Sequence, residues 1–357
     1  MSMYIDFHVL QTVPPSCINR DDTGSPKTAV YGGAVRSRVS SQAWKHAMRT
    51  EFKNLFPEEE RANRTKHVVD MVVKEMQLLD DMMEEAEAVK KATAALKEAG
   101  VGLDEKKNEA KALFFMSNQQ AKAVAAIALE GNPKDKAVKD ALKKALKENL
   151  SVDIALFGRM VASDPSLNSD AAVQVAHALS THAVQNEYDY FTAVDDLQAE
   201  DNAGAGHLGT VEFNSSTLYR YATVNASELA KHLGADSVPE VIRKFGQAFI
   251  LSMPTGKENT FANRTLPDAV YVTIRQDQPV NFCGAFEKPM QRSANGYAAV
   301  SEAALVTYAE TVYNRYAAKP VKALGIGDSV GKIAETMPLP ELLAALEQMV
   351  CEQLCEV

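Results

Sequence analysis

Cysteine is scarce in this chain. Its four residues, Cys17, Cys283, Cys351 and Cys355, form no CxxC pair. Neither a zinc ribbon nor a disulfide framework is therefore expected, and all four read as reduced thiols in cytoplasm. Long apolar runs are also missing. No stretch approaches the roughly 20 residues of a membrane span, and no basic-then-apolar leader opens the chain, so no membrane partner is expected. Gly32-Gly33 is not followed by Gly-Lys-Ser/Thr, which excludes a P-loop. His177 and His182 lie five apart and cannot share a strand face, which argues against a zinc pair. Nothing points to nucleotide hydrolysis, hydride transfer or a Ser/His/Asp triad, and no cofactor or metal is expected.

What remains is a globular composition. The 357 residues are 46% apolar and 24% charged, enough for a large core in one decorated domain or two. The charge is uneven. Residues 1–50 hold six Lys/Arg (Arg20, Lys27, Arg36, Arg38, Lys45, Arg49) against three acids (Asp6, Asp21, Asp22). That segment carries +3 in a chain of net −9, so the rest carries −12. A local basic surface on an acidic protein indicates a placed anion site rather than general affinity for polyanions.

The placement follows from local pattern. Ala34–Val39 alternates as a strand, and Ser40-Ser41 stand where a helix N-cap belongs, without the Glu or Gln of a capping box. Trp44, Ala47/Met48, Phe52 and Leu55 form the apolar stripe of the following helix. Lys45, Arg49 and Lys53, at i, i+4 and i+8, share another face. Helix-start N–H groups with Ser40 and Gln42, continued by Lys45 and Arg49, suit a phosphodiester backbone. The competing reading is an ordinary solvated helix face.

Along the chain, Met3–Gln11 reads as a strand ended by Pro14-Pro15, with His8 as a satisfied sheet residue. Gly32-Gly33 marks a tight turn or bulge. Residues 57–150 change character to about four helices, punctuated by Gly100, Gly102, Gly131 and Pro133. Ser151–Val161 reads as a strand, and so does Ala171–Val184. Tyr190–Phe213 reads as a long hairpin, with a Gly- and Ala-rich tip suited to mobility. Leu218–Asn225 and Ala269–Ile274 read as strands. Ser227–Leu233, Val238–Ser252, Tyr297–Tyr316 and Leu339–Leu354 read as helices. This order fits an α+β fold with a large insertion.

The motifs PSCINRDD, SPK, YGG, RVSSQ and AMR, then VDIALFGRM, AHALSTH, DYFTAVDDLQ, HLGTVEF and LYRYA, resemble the CasC family. Its members are the crRNA-binding backbone subunits of the type I-E CRISPR Cascade complex. The resemblance is strong over 4–55 and 151–225 and weak over 57–150 and after 255. It implies a modified RRM-like (ferredoxin-like) palm from 1–56 and 150–357, a helical fingers insertion at 57–149, and a β-hairpin thumb at 187–215. It implies RNA contacts from Arg20, Lys27, Ser40, Gln42, Lys45, Arg49, His67 and Met160. Base displacement falls to Tyr190, Phe191, Thr192 and Leu208. The implied partners are crRNA, target DNA, other Cascade subunits and further copies of the chain laid head to tail, with no catalysis. An ordinary helix start for His67 and a hairpin-base core for Tyr190 and Phe191 stand as alternatives. A second function class is a metal-dependent ribonuclease using loop carboxylates at Asp21-Asp22 or Asp195-Asp196. A third is a stand-alone RRM-like RNA-binding protein, disfavoured by the missing RNP aromatic motif.

Overall fold

A computed structural model describes residues 2–193 and 207–355. It is a mixed α+β protein built on a large mixed sheet. Strand β1 (Tyr4–Ser16) runs past the two prolines that were expected to end it. Pro14 and Pro15 lie beyond its pairing with Ala269–Arg275, so their missing N–H groups break no bond of that ladder. Strands β2 (Thr28–Tyr31) and β3 (Ala34–Val39) form a hairpin turned by Gly32 and Gly33, both at positive φ. Glycine is needed twice at Gly32, because a Cβ there would strike the carbonyl oxygen of Glu287. Helix α1 (Ser41–Leu55) follows at once.

The stretch expected to be purely helical contains short strands as well. Its order is β4 (Ala62–Thr65), α2 (Val68–Leu79), α3 (Glu85–Glu98), β5 (Leu103–Asp104), β6 (Glu109–Ala110), β7 (Phe114–Ser117), α4 (Asn118–Glu130) and α5 (Lys136–Lys147). Four helices form as expected; Gly100, Gly102 and Gly131 separate α3, α4 and α5, while α2 and α3 part at 80–84 without a glycine. The β4–β7 and β5–β6 ladders are too short to leave a period-2 signature. Val69, Val72 and Met76 of α2 pack among Ala92, Leu96, Val124 and Leu142.

VDIALFGRM is not a strand. It forms helix α6 (Val152–Phe157), closed by Gly158 at φ +74. All of Val152–Leu156 is buried, and a short apolar run covered on every side has no readable period. The expected strand over 171–184 is two short ones, β8 (Val173–Val175) and β9 (Ala178–Ser180), parted at Ala176-His177. Strand β10 (Glu187–Ala193) pairs with β11 (His207–Asn225), a single strand that unites the expected hairpin arm with the expected strand at 218–225. Then come α7 (Ala226–Leu233), α8 (Val238–Leu251), α9 (Glu258–Phe261), β12 (Ala269–Arg275), α10 (Ala298–Arg315), β13 (Lys322–Ile326), β14 (Glu335–Thr336) and α11 (Leu339–Cys355). The main sheet runs β14-β13-β12-β1-β11-β9-β3-β2. None of the helices described is long and apolar enough to cross a membrane.

Two compact units emerge. The first takes Met1–Met48, Val175–Thr223 and Phe245–Val350; the second takes Arg49–Gln174, Val224–Lys244 and Cys351–Val357. In the first, β1 is buried on both faces, so its alternation separates two interiors rather than core from water. Phe7 meets Phe245 and Phe249 on one side. On the other, His8 stacks on Phe282 at 4.4 Å and shares a 2.8 Å hydrogen bond with the Tyr219 hydroxyl.

Several guanidinium groups are buried on backbone carbonyls. Arg36 donates to the carbonyls of Tyr31, Ser180, Phe286 and Glu287. Arg220 donates to Gln11 Oε1 and to the Phe249 carbonyl, and lies 3.8 Å from the centre of the Trp44 ring system. In the second unit Arg159 binds the carbonyls of Phe115, Leu146 and Leu167 and the side chain of Gln120.

Arg159→Ala should cost about 3 kcal/mol or more, because several buried carbonyls lose their donor at once; a urea midpoint equal to wild type would contradict this. A pH effect follows from His8. Burial, aided by Arg275, lowers its pKa from 6.5 to about 3. Its stabilising contribution is complete above pH 6.5 and is lost as pH falls toward 3. Asp6, raised by burial to about 6, acts oppositely: its contribution is complete below 3.8 and fades as pH rises through 6. His8→Phe should therefore shrink the drop in urea midpoint between about pH 7 and pH 4.5. An undiminished drop would reject the assignment.

Candidate nucleic-acid interface

The start of α1 is built by its neighbours in the first unit. Ser40 caps the helix: its hydroxyl accepts the Ala43 N–H at 3.3 Å, and its own N–H donates to Asn19 Oδ1 at 2.9 Å. The loop carrying Asn19 is tied to the hairpin. Lys27 N–H donates to the Asn19 carbonyl at 2.8 Å, and Arg38 N–H to the Lys27 carbonyl at 2.9 Å. An isolated bridge joins exposed Arg20 to Pro26. Loop, strand and helix start thus form one frame that holds Lys27 and Arg38 near the positive end of the helix.

His177 completes this group. Its Nδ1 accepts the Ser41 N–H at 3.3 Å and lies 3.5 Å from Arg38 Nη1. Burial, then Arg38 and Lys27, lower its pKa. The ring is therefore neutral at pH 7, and with Nδ1 accepting, Nε2 carries the hydrogen. Sequence reading treats His177 only as half of an unworkable zinc pair. It sits far along the chain from α1, and only the AHALSTH motif marks it. Asn19 is missed in the same way inside NRDD. Gln42 is exposed on the first turn. Lys45, one turn on, is half-buried, and burial lowers its pKa.

The expected row of equivalent cations is not what forms. Arg36, part of the +3 count, is fully buried on carbonyls and presents no charge to solvent. Arg49 belongs to the second unit. Its Nε lies 3.3 Å from Asp153, and its guanidinium covers the Phe115 ring at 4.5 Å. Asp153 in turn accepts the Ala62 N–H and the Ser151 hydroxyl. His67 stands at the N-cap position of α2 with Nδ1 3.2 Å from Asp70, exposed. Met160 is 85% exposed, held out between the buried Arg159 and Val161.

The β10–β11 ribbon pairs Tyr190 with Thr210, Phe191 with Gly209 and Thr192 with Leu208. Tyr190 and Phe191 are exposed rather than core. Being consecutive, they face opposite sides of the ribbon. Phe191 lies across Gly209, where a Cβ would sit 2.3 Å from the ring. Tyr190 is 64% exposed on the other face, shared with Thr192. The expected hairpin tip, 198–206, and Asp195-Asp196 lie outside the described residues.

The loop carboxylates are not gathered for a metal. Asp21 Oδ1 accepts Thr23 N–H, Thr23 Oγ1–H and Ser25 N–H, which hold its pKa below the usual range. Among the described residues no three His, Cys, Asp or Glu side chains come together as ligands.

No curated protein matches. A chain of a solved "CRISPR RNA-guided surveillance complex, pre-nicking" is similar, with 31% identity and a TM-score of 0.83. That alignment covers 98% of this chain and 99% of the other. A chain from a second "CRISPR RNA-guided surveillance complex" is 29% identical, with a TM-score of 0.63 and coverage of 97% and 99%. The CT1975-like protein family matches residues 5–349. The protein belongs to that family, and the CasC-type Cascade subunit read from its motifs is the kind of subunit it is.

Proposed function

We propose that this protein is the non-catalytic backbone subunit of a type I-E Cascade, working in cytoplasm. Copies bind head to tail along one crRNA and present its guide segment to target DNA, alongside other Cascade subunits. The observation that carries this is the capped start of α1, with Lys27, Arg38 and His177 gathered around it in a chain of net −9. The cations gathered there bind phosphates without reading bases, as a scaffold for many guides requires. Base pairing then supplies the sequence reading. Similarity to chains of RNA-guided complexes supports the same role.

On this reading the RRM-like palm is 1–56 with 150–357, and the fingers are 57–149. Arg20, Lys27, Ser40, Gln42 and Lys45 hold the crRNA backbone. The second unit carries contacts of its own at His67 and Met160, while Arg49 is held by Asp153. The β10–β11 thumb puts Tyr190, Thr192 and Leu208 against bases, while Phe191 supports the ribbon over Gly209. Heterologous contact between successive copies gives an open helical filament.

Protein purified from cells should elute as a large assembly with high 260/280 nm absorbance. Lys27→Ala with Lys45→Ala should weaken RNA binding for all sequences and lower the salt slope by about 1 to 2; an unchanged slope would remove these lysines from the interface. The thumb is tested with 2-aminopurine in the guide. Tyr190→Ala should reduce the fluorescence of displaced bases, since a flipped base needs a replacement stacking surface. Equal fluorescence in variant and wild type would assign displacement elsewhere.

A further inference from the structure

Outside the α1 start, the first unit holds a cavity of about 350 Å³ beside the end of α10. Lys319, Lys322 and Lys332 line it, with Glu310 the one carboxylate. Among the described residues none of the three ammonium groups has an ion-pair partner. Three lysines against a single carboxylate around one concavity stand out in a chain of net −9. By contrast, the 560 Å³ cavity of the second unit is lined by Glu59, Glu60, Asp236 and Glu240, which would repel a polyanion.

The frame of the lysine cavity is fixed. Val321 N–H donates to the Ile274 carbonyl at 2.8 Å, and Lys322 pairs with Ile274 in the sheet. The turn carrying Lys332 is pinned from beneath. Buried Glu302 accepts the N–H groups of Ser329 at 2.7 Å and Val330 at 2.9 Å. Tyr313, one wall, is held by a 2.9 Å hydrogen bond between its hydroxyl and that of Tyr271. Val321 and Ile333 add apolar surface beside it. Cations at the rim and an aromatic-apolar wall match the two halves of a nucleotide, its phosphate and its base or sugar.

We propose that this cavity binds a nucleotide unit, free or within a nucleic-acid strand. Lys319, Lys322 and Lys332 receive the phosphate, and Tyr313 with Val321 and Ile333 receives the base or sugar. This site does not depend on the role assigned to the start of α1.

The test is amine acetylation of the whole protein at low salt, read per lysine by mass spectrometry. The probes are inorganic pyrophosphate, AMP, a short single-stranded RNA and a short DNA duplex. Acetylation of Lys319, Lys322 and Lys332 should slow together with at least one probe and recover in about 1 M salt, where the screening length is about 3 Å. Protection by AMP or pyrophosphate as well as by strands assigns a free nucleotide as sufficient; protection by strands alone assigns the phosphodiester backbone. A Lys319→Gln, Lys322→Gln, Lys332→Gln variant, checked for an unchanged circular dichroism spectrum, should lose the protecting probe's low-salt binding at this site. If that probe is single-stranded RNA, its salt slope should fall by about 2. Equal acetylation of the three lysines with and without every probe overturns the proposal.

Discussion

Buried guanidinium groups resting on backbone carbonyls are the constraint on which much of this structure depends. A carbonyl removed from water needs a donor, and each Arg brings several in one plane. Arg36 joins β3 to the segment at Phe286 and to Ser180, and so fixes the strand that leads into α1. Arg220 fixes the other side: its guanidinium covers Trp44, the first large apolar residue of the helix. Helix start and sheet are thereby locked together before any ligand arrives. Arg159 does comparable work in the second unit, leaving Met160 in solvent.

Burying arginine also shapes the surface. Arg36, Arg220, Arg275 and Arg159 all count toward the chain's positive charge yet are almost wholly buried. Asp6, Asp153 and Glu302 are buried as well, so the exposed surface stays close to the formal −9 with fewer cations in it. A largely acidic exterior keeps random polyanions away, so the few basic places can be selective. Around the start of α1, Lys27 and Arg38 carry no base-reading geometry, so the phosphate role proposed for them is indifferent to sequence. On the β10–β11 ribbon the period of two sets neighbouring aromatics on opposite faces. Phe191 covers Gly209, and Tyr190 on the opposite face stays open.

Much of the fold was legible in the residues themselves. The N-cap at Ser40 and the helices at 238–251 and 298–315 follow from local chemistry and a 3.6-residue stripe. The Gly32-Gly33 turn was legible for the same reason, since positive φ belongs to glycine. VDIALF was not, because a segment buried on every side shows no period. Nor were the β4–β7 and β5–β6 ladders, which are shorter than a pattern needs. At the site, the residue types were readable but their partners were not. Arg49 carries the same spacing signal as Lys45, yet Asp153, more than a hundred positions on, takes it up.

By itself the sequence determined the family, through ordered motifs, and the local devices: cap, turn, helix faces and a basic segment in an acidic chain. Tertiary structure alone decided which cations face water, that His177 joins the start of α1, and that Tyr190 and Phe191 stand outside the core. The physical reason is that periodicity assigns a residue to a face of its own element. Whether that face is covered, and by which donor or acceptor, depends on contacts between residues far apart in the chain.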